Sequence, residues 1–365
     1  MGAAERTRRL HQFHKERRMN MKLMETMGQY GHEKVLFVNN EEAGLKAIIA
    51  VHNTNLGPAI GGCRVWPYES EEDALFDVIR LSRGMSHKNA AAGLNFGGGK
   101  AVIMADPSQK TPEMFKAFAE AVNALGGCYI TAEDVNTDTD DAMIIAKYTD
   151  HICGLPTVSG DPSPFTAIGV YQGMKGAAKV AFGSDDLKGR TVAVQGLGKV
   201  GYDLCRLLHE EGAKLIIANR SNKERLEKAV KEFDAVAVPS SEIISQECDI
   251  FAPCALGAVI NPETLPTLKC KLIAGAANNV LLDEATGEAL KAKGIYYAPD
   301  FIINAGGVIN AAGEAAGAYD KDDVMKKVNN IYNTIEQILR QSDETGKPEG
   351  ILATEFAEAR IYGNK

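Results

Sequence analysis

The amino-acid sequence predicts a two-domain α/β protein, because strand-like and helix-like segments alternate on both sides of a loop-rich break. Runs of β-branched residues such as LKAIIAVH (45–52) and KLIIA (214–218) are typical of buried strands. A chain of 365 residues is also longer than one hydrophobic core usually needs. The segment GLPTVSGDPSPFT (154–166) is rich in Gly, Pro and Ser, which favours a hinge. We therefore expect two α/β domains separated by a cleft.

Capped helices and short apolar runs define the elements of each domain. In the first domain we predict helices over 70–85 and 111–127 and strands over 97–107 and 128–135. In the second domain we predict strands over 190–195, 214–218, 248–253 and 271–277. The alternation of strand, turn and helix predicts a parallel sheet in the second domain, with helices on both faces.

Changes in amino-acid composition along the chain indicate the domain boundaries. The first domain is predicted over residues 21–153 and the second over residues 154–320. Residues 321–365 read as a helical tail, with one amphipathic helix over 322–342. We expect this tail to pack back on the first domain.

Charge and composition exclude several classes of protein. The net charge of −8 argues against nucleic acid or an anionic membrane as a partner, and no apolar run approaches the roughly 20 residues that span a bilayer. Residues 1–20 are basic without an apolar core, so we expect an N-terminal extension, with Met19 or Met21 as alternative starts, and not a secretory signal. No metal site is predicted, and dispersed cysteines favour reduced thiols in the cytoplasm. They are Cys63, Cys128, Cys153, Cys205, Cys248, Cys254 and Cys270.

A glycine-rich turn predicts a dinucleotide site. The segment GLGKVG follows the strand RTVAVQ and opens a helix, which is the context that the G-x-G-x-x-G pattern requires. In such a turn the glycines allow close approach to the pyrophosphate, and the helix N-terminus faces the phosphates. The second domain is therefore predicted to be a Rossmann domain. Its expected phosphate-binding residues are Gly196, Leu197, Gly198, Lys199, Val200 and Gly201.

The end of the next strand predicts which nucleotide is bound. An acidic residue commonly stands about 20 residues beyond the glycines and accepts a hydrogen bond from the adenosine ribose. Here that place holds Asn219, followed by Arg220 and Ser221. Asparagine does not repel a 2′-phosphate, and a guanidinium suits one. We expect NADP(H) to be preferred and NAD(H) to be possible. The alternative is a solvated helix start with relaxed cofactor choice.

Two lysines and one carboxylate of the first domain are candidates for the chemistry. Lys88 lies in GMSHK, and Lys100 follows three glycines at the start of a strand. A lysine held among apolar or cationic neighbours can act as a base near neutral pH. Asp134, at the end of CYITAED, is a natural partner for proton transfer. No Walker motif is present, because the required spacing is absent.

The motifs together resemble the glutamate/leucine/phenylalanine/valine group of amino acid dehydrogenases. The resemblance runs from about Met21 onward and is closest to the leucine dehydrogenase branch. It is carried, in order, by LGPAIGG (56–62), GMSHKNAAAGLNFGGGK (84–100), ITAEDV (130–135), AVQGLGKVG (193–201), APCALGA (252–258), GAANN (275–279) and APDFIINAGGVIN (298–310).

This resemblance implies reversible oxidative deamination of an L-amino acid to a 2-oxo acid and ammonia, with NAD(P). It implies that Lys88 binds the substrate carboxylate, that Lys100 activates water and that Asp134 moves protons. One of Asn278 and Asn279 would hold the substrate carboxylate and the other the nicotinamide ribose. The resemblance also implies that Thr166 lies near the nicotinamide amide and that the protein is a homo-oligomer, from dimer to octamer.

The cofactor and the substrate do not carry over directly from the leucine dehydrogenase branch. That branch generally has Asp at the position of Asn219, no following Arg, and uses NAD. Apolar pocket positions argue against a charged substrate side chain. By the resemblance, Ala132 stands where aromatic-specific relatives tend to have Gly, which favours an aliphatic side chain. Ala311 stands where the leucine dehydrogenase branch has a larger Val, which would enlarge the pocket. We expect leucine, valine and similar amino acids. The predicted substrate-binding residues besides the lysine and asparagine are Ile60, Gly61, Ala132, Val308 and Ala311.

Three alternatives remain at this stage. The turn GLGKVG and the segment GGCR (61–64) lean towards phenylalanine dehydrogenase, which would make the substrate aromatic. An NADP-linked reductase of an imine or a 2-oxo acid is a second alternative, although no histidine–carboxylate pair stands out. A nucleotide sensor without catalysis is the third, and the retained lysines and aspartate argue against it.

Overall fold

The computed structural model describes residues 23–255 and 257–363. The expected extension over residues 1–20 and both alternative starts, Met19 and Met21, lie outside this range. The described chain divides into two compact units. Unit 1 runs to Ser86 and includes Asn95–Val158, whereas unit 2 comprises His87–Leu94 and the chain from Ser159 onward.

Unit 1 is built around a mixed sheet. The strand order is β1-β2-β5-β3-β6, with β4 also paired to β5. The β1–β2 and β2–β5 pairs are antiparallel, and the remaining pairs are parallel. Its strands are β1 (Lys34–Asn40), β2 (Leu45–Asn53), β3 (Ala59–Ile60), β4 (Cys63–Trp66), β5 (Gly97–Met104) and β6 (Tyr129–Ile130).

The helices of unit 1 cover this sheet with apolar faces. The third helix buries Phe115 and Phe118 against the strands and begins at an N-cap, where Thr111 accepts from Met114 N–H. The expected helix over 70–85 continues to Ala91, so that its last residues belong to unit 2. The helices are α1 (Leu23–Tyr30), α2 (Glu71–Ala91), α3 (Pro112–Ala124) and α4 (Thr139–Ile145).

Unit 2 contains the predicted parallel sheet. Its strand order is β12-β11-β10-β7-β8-β9, and every pairing is parallel. The strand KLIIA has its predicted bounds, Lys214–Ala218. The strands are β7 (Thr191–Gln195), β8 (Lys214–Ala218), β9 (Val236–Ala237), β10 (Ile250–Pro253), β11 (Leu272–Ile273) and β12 (Tyr296–Tyr297).

The helices of unit 2 include three that form the C-terminal tail. Instead of one helix over 322–342, two helices meet at Asn330. No described residue from 23 to 255 or from 257 to 363 lies in a helix that is long and apolar enough to cross a membrane. The helices are α5 (Ser163–Phe182), α6 (Lys199–Glu211), α7 (Lys223–Phe233), α8 (Glu284–Ala292), α9 (Asp300–Ile303), α10 (Gly306–Ala315), α11 (Lys321–Asn329), α12 (Ile331–Thr345) and α13 (Glu349–Tyr362).

The compact units differ from the expected domain ranges at the hinge and in the tail. Helix α5 begins inside the loop-rich break, because Pro164 fits the first turn of a helix. The tail belongs to unit 2, where α12 packs on α5. Its last helix also reaches the end of α2, where Arg360 donates to the carbonyls of Ala90 and Leu94.

Candidate active site

A buried lysine and a carboxylate form an ion pair in unit 1. Lys100 lies in β5 opposite Ala50 of β2 and is 5% exposed. Its Nζ atom lies 2.8 Å from Oδ1 of Asp134, which follows β6. The structure therefore brings together the two residues that were predicted to carry the chemistry.

Glycines allow the surrounding strands to approach this pair closely. A Cβ atom on Gly61 would lie 1.7 Å from the carbonyl oxygen of Gly99. A Cβ atom on Gly62 would lie 2.8 Å from Cβ of Asp134. Since real Cβ atoms do not tolerate such distances, both positions require glycine.

The predicted pocket residues of unit 1 lie around the same strands. Ala132 is partly exposed, and its carbonyl accepts a hydrogen bond from Cys63 N–H at 2.8 Å. Ile60 pairs with Gly98 and Ile130 in the sheet, and it is only 1% exposed in this chain. Its contribution to a substrate pocket therefore stays a prediction.

Asp134 is held as an anion by two cations. Burial alone would raise its pKa, but the charges of Lys100 and Arg64 outweigh burial and lower the pKa to about 2. The Arg64 Nε atom donates to Oδ2 of Asp134 at 2.9 Å. Sequence reasoning singled out the segment GGCR but gave Arg64 no role.

Lys88 and Asn278 meet in unit 2. The Lys88 Nζ atom donates to Oδ1 of Asn278 at 3.4 Å, and Asn304 Nδ2 donates to the same oxygen at 2.7 Å. Two donors on the oxygen orient the amide of Asn278, so that its own NH2 group points away from them. Asn304 was not predicted as a site residue, although it lies within the quoted motif APDFIINAGGVIN.

The neighbouring Asn279 lies at a backbone position that is uncommon for residues other than glycine. Its φ angle is +50°, and its carbonyl accepts from Ala258 N–H at 2.6 Å. The next residue, Val280, donates its N–H to Oδ2 of Asp300 at 2.9 Å. Burial raises the pKa of Asp300, although Lys88 is close enough to oppose this. Asp300 therefore fixes the turn that carries both asparagines.

The glycine-rich turn has the geometry of a phosphate site. Gly196 has a φ of +98°, and a Cβ atom on Gly201 would lie 2.1 Å from the Gly196 carbonyl oxygen. Gly198 is the N-cap of α6 and provides no side-chain hydrogen bond to the first N–H groups of that helix. Those N–H groups can bind an anion, as at other helix N-termini. The Lys199 Nζ atom, at the same helix start, lies 2.9 Å from Oδ2 of Asp161.

Asn219 braces this turn from the end of β8. Its Oδ1 accepts from Leu197 N–H at 3.2 Å, and its Nδ2 donates to the Asn222 carbonyl at 3.0 Å. Arg220 and Ser221 are exposed, and Arg220 has no ion-pair partner among residues 23–255 and 257–363. The turn and the three predicted ribose-end residues thus lie together in unit 2.

The remaining predicted residues lie on α5 and α10 in unit 2. Thr166 donates its hydroxyl to the Pro162 carbonyl at 3.0 Å and lies beside Gly307. Val308 and Ala311 are three residues apart on α10 and both are partly exposed, so they share one face. Of all the predicted site residues, Ile60, Gly61, Lys100, Ala132 and Asp134 belong to unit 1 and the others to unit 2.

Comparison with known proteins identifies the family. Residues 32–151 match the Glu/Leu/Phe/Val dehydrogenase dimerisation domain, and residues 215–361 match the Glutamate/Leucine/Phenylalanine/Valine dehydrogenase domain. The leucine dehydrogenase of Bacillus subtilis (strain 168) is 53% identical over 345 residues, which cover 93% of this chain and 94% of that protein. The leucine dehydrogenase of Geobacillus stearothermophilus is 54% identical over 345 residues, with the same coverage of 93% and 94%.

A solved structure agrees with these sequence relatives. The crystal structure of L-tryptophan dehydrogenase from Nostoc punctiforme has a TM-score of 0.83 and 44% identity, covering 93% of this chain and 98% of that one. The expected two-domain architecture, with a dimerisation and substrate domain and a Rossmann domain, is confirmed. The chain belongs to the glutamate/leucine/phenylalanine/valine dehydrogenase family and is an oxidoreductase that acts on the CH–NH2 group of amino acids with a nicotinamide cofactor.

Proposed function

We propose that this chain catalyses the reversible oxidative deamination of leucine, valine and similar aliphatic L-amino acids, with NADP(H) as the preferred cofactor. The observation that carries the proposal is the buried Lys100–Asp134 pair, with its 2.8 Å ion pair. The two leucine dehydrogenase relatives, each above 50% identity, support the choice of substrate.

The chemistry divides between the cofactor and two side chains. A bound nicotinamide would supply the oxidant, as acceptor of the hydride that leaves the substrate Cα when the amine becomes an imine. Lys100, once neutral, takes a proton from the water that attacks the imine carbon. Asp134, an anion at rest, first takes a proton from the substrate ammonium and later returns it to the amino nitrogen. The C–N bond then breaks and the nitrogen leaves as ammonia, while the hydroxyl that came from water loses its proton to solvent and becomes the carbonyl oxygen. The products are a 2-oxo acid, ammonia and the reduced nucleotide.

Substrate binding falls to the cationic and amide groups near Asn278. The Lys88 ammonium would pair with the α-carboxylate of the amino acid, because the two groups carry opposite charges. The NH2 group of Asn278 points away from Lys88 and Asn304 and can donate to a carboxylate or a ribose hydroxyl. Asn279 would take the other of these two roles.

The substrate side chain would contact the apolar positions. Ala132 in unit 1 and Val308 and Ala311 in unit 2 are each partly exposed and uncharged, so none of them offers a partner to a side-chain carboxylate. One methylene in such a pocket changes specificity by only about 1–3 kcal/mol. We therefore expect activity on several aliphatic amino acids. The tryptophan dehydrogenase relative makes aromatic substrates the second candidate.

The preference for NADP(H) rests on the charge at the ribose end. Asn219 places no carboxylate near the adenosine ribose, and Arg220 and Ser221 are exposed beside it. A 2′-phosphate carries close to two negative charges and gains from a guanidinium without a competing carboxylate.

The dimerisation domain matched by residues 32–151 supports a homo-oligomer, from dimer to octamer.

The ammonia dependence of the reverse reaction tests the reaction class. We expect the 2-oxo acid of leucine to oxidise NADPH only when ammonium is present, with the rate measured at 340 nm. A 2-hydroxy acid dehydrogenase would oxidise NADPH without ammonium, and that result would contradict the proposal. A parallel panel of leucine, valine, phenylalanine, tryptophan and glutamate in the forward direction separates the aliphatic from the aromatic candidate.

A further inference from the structure

Arg64 links the Lys100–Asp134 pair to a second carboxylate in unit 1. Its Nε atom donates to Asp134 Oδ2 and its Nη1 atom donates to Asp77 Oδ2, each at 2.9 Å. The guanidinium side chain is only 21% exposed. One planar group therefore bridges two carboxylates, which a single ammonium cannot do with the same geometry.

Asp77 is fixed from its other side. Tyr68 donates its hydroxyl to Oδ2 of Asp77 at 2.7 Å, and Arg80 Nη2 donates to Oδ1 at 3.0 Å. Because Asp77 is held at both oxygens, it holds the far end of Arg64 in place. The arrangement is a continuous chain of charges from α2 to β5, and its members in order are Arg80, Asp77, Arg64, Asp134 and Lys100.

Other titratable groups face this chain from the neighbouring elements. Cys63 is the first residue of β4, and burial raises the pKa of its thiol, so it stays neutral. Burial likewise raises the pKa of Tyr129, which donates its hydroxyl to the Gly61 carbonyl. Asp141 on α4 is paired with Lys110. Glu133, adjacent to Asp134, is partly buried. Arg64 is thus the cation that shares Asp134 with Lys100.

We propose that Arg64 is a positioning residue for the deamination, which holds Asp134 in place and takes up part of its negative charge so that Lys100 can act as a base. This inference rests on the proposed function. Without Arg64, Asp134 would pair with Lys100 alone, and the repulsion between the two cations would also be lost. Both changes favour the charged form of Lys100, which cannot accept a proton.

The test is the pH dependence of kcat/KM for leucine oxidation in three variants. We expect Arg64→Gln to lower kcat/KM at pH 7 by roughly tenfold and to move the acid limb of the profile upward by about one pH unit, since one unit corresponds to a tenfold change in the reactive fraction. Arg64→Lys keeps a charge beside Asp134, so its acid limb is expected to stay near that of the wild type. Arg206→Gln is the matched control, because Arg206 pairs with Glu210 on α6 of unit 2 and has no part in this chain of charges, and its profile should be unchanged.

Folding is checked independently by thermal unfolding and by nucleotide affinity, because the glycine-rich turn lies in unit 2. Arg64→Gln could instead lower kcat/KM at every pH without moving the acid limb of the profile. That result would assign Arg64 a merely structural role and overturn this inference, while leaving the proposed function intact. A wild-type protein without amino-acid-dependent nucleotide reduction would overturn the proposed function as well. If Arg64→Gln does not fold, an acid limb of Arg64→Lys displaced by a full unit would contradict the charge-sharing argument.

Discussion

The reacting pair and the ribose end of the nucleotide site are opposite kinds of site. Lys100 is 5% exposed and is paired with a carboxylate that a second cation also holds. Arg220 is exposed and has no ion pair among the described residues on either side of position 256. In the first site the charges are paired within the chain, whereas the second presents an exposed guanidinium beside an asparagine whose amide is held by Leu197 and Asn222.

This difference indicates where the structure adds most to the sequence. In a buried site every polar group needs a partner, so the contacts themselves specify the charge states. At an exposed site the charges present matter more than their positions, and solvent weakens each interaction. Substitutions in the first site should therefore have large effects, and substitutions in the second should change preference without abolishing activity.

The largest effect is expected for Lys100→Ala. Removing a general base costs typically 10²–10⁴-fold, and we expect turnover to fall about 10³-fold. Nucleotide affinity should be unchanged, because the glycine-rich turn lies in unit 2. Steady-state rates and fluorescence titration with NADPH measure both quantities. Lys46→Ala, which removes an exposed lysine from the neighbouring β2, is the control. A variant that retains more than a tenth of the turnover would contradict the role of base.

The next effect is a change of cofactor with Asn219→Asp. A carboxylate at the end of β8 would repel a 2′-phosphate and accept from a ribose hydroxyl. We expect the ratio of kcat/KM for NADP⁺ to that for NAD⁺ to fall by roughly 30-fold, about 2 kcal/mol. Asn222→Asp adds the same charge three residues away and keeps an N-cap for α7, so it controls for general repulsion. An equal fall of this ratio in both variants would show that position 219 has no special role in the choice of cofactor.

The loss of folding stability at low pH tests the ion pairs of Asp134. Its pKa in the folded protein is about 2, below the ordinary value of 3.8. A carboxylate with a depressed folded pKa stabilises the fold above its unfolded pKa, and this stability is lost as the pH falls through the folded pKa. The wild type should therefore lose about 2 kcal/mol of unfolding free energy through this group between about pH 4 and pH 2. Asp134→Asn should lack that component.

Urea unfolding at a series of pH values measures this loss. Glu120→Gln, which removes an exposed carboxylate on α3, is the matched control and should follow the wild type. A parallel pH dependence for the wild type and Asp134→Asn would show that Lys100 and Arg64 do not stabilise the Asp134 anion.

The smallest effect is expected for Asn304→Ala. This substitution removes the 2.7 Å hydrogen bond that orients the Asn278 amide. We expect about a fivefold rise in one KM, that of the amino acid or that of the nucleotide, equivalent to roughly 1 kcal/mol, with kcat within twofold. Which KM rises identifies the ligand of Asn278. Asn333→Ala on the exposed face of α12 is the control. Two unchanged KM values would refute the orienting role.

Much of the fold could be predicted from the sequence, because local patterns determine it. The strand KLIIA and the glycine-rich turn need only neighbouring residues to be recognised. The tail helices could not be divided correctly, since both sides of Asn330 have the same amphipathic period and Asn330 itself keeps helical backbone angles. The assignment of residues 87–94 to unit 2 depends on contacts with distant residues such as Arg360.

The reacting residues of the site could be predicted from the sequence, but the residues that support them could not. Lys100 and Asp134 stand out because unusual glycine spacing and a strand end mark them. Arg64 and Asn304 act through side chains 70 and 26 positions away, respectively, and no local pattern reports such pairs. Ile60 was predicted as a pocket residue, yet only the structure reveals how little of it is exposed.

The central claim is that this amino acid dehydrogenase recognises its nucleotide through an uncharged, arginine-flanked ribose end. The most direct test follows nucleotide reduction at 340 nm by the wild-type protein with saturating L-leucine, and compares kcat/KM for NADP⁺ and NAD⁺. We predict a higher kcat/KM with NADP⁺. A higher kcat/KM with NAD⁺ would contradict the claim, because Asn219 would then serve only to brace the glycine-rich turn and Arg220 would be a solvated residue before α7.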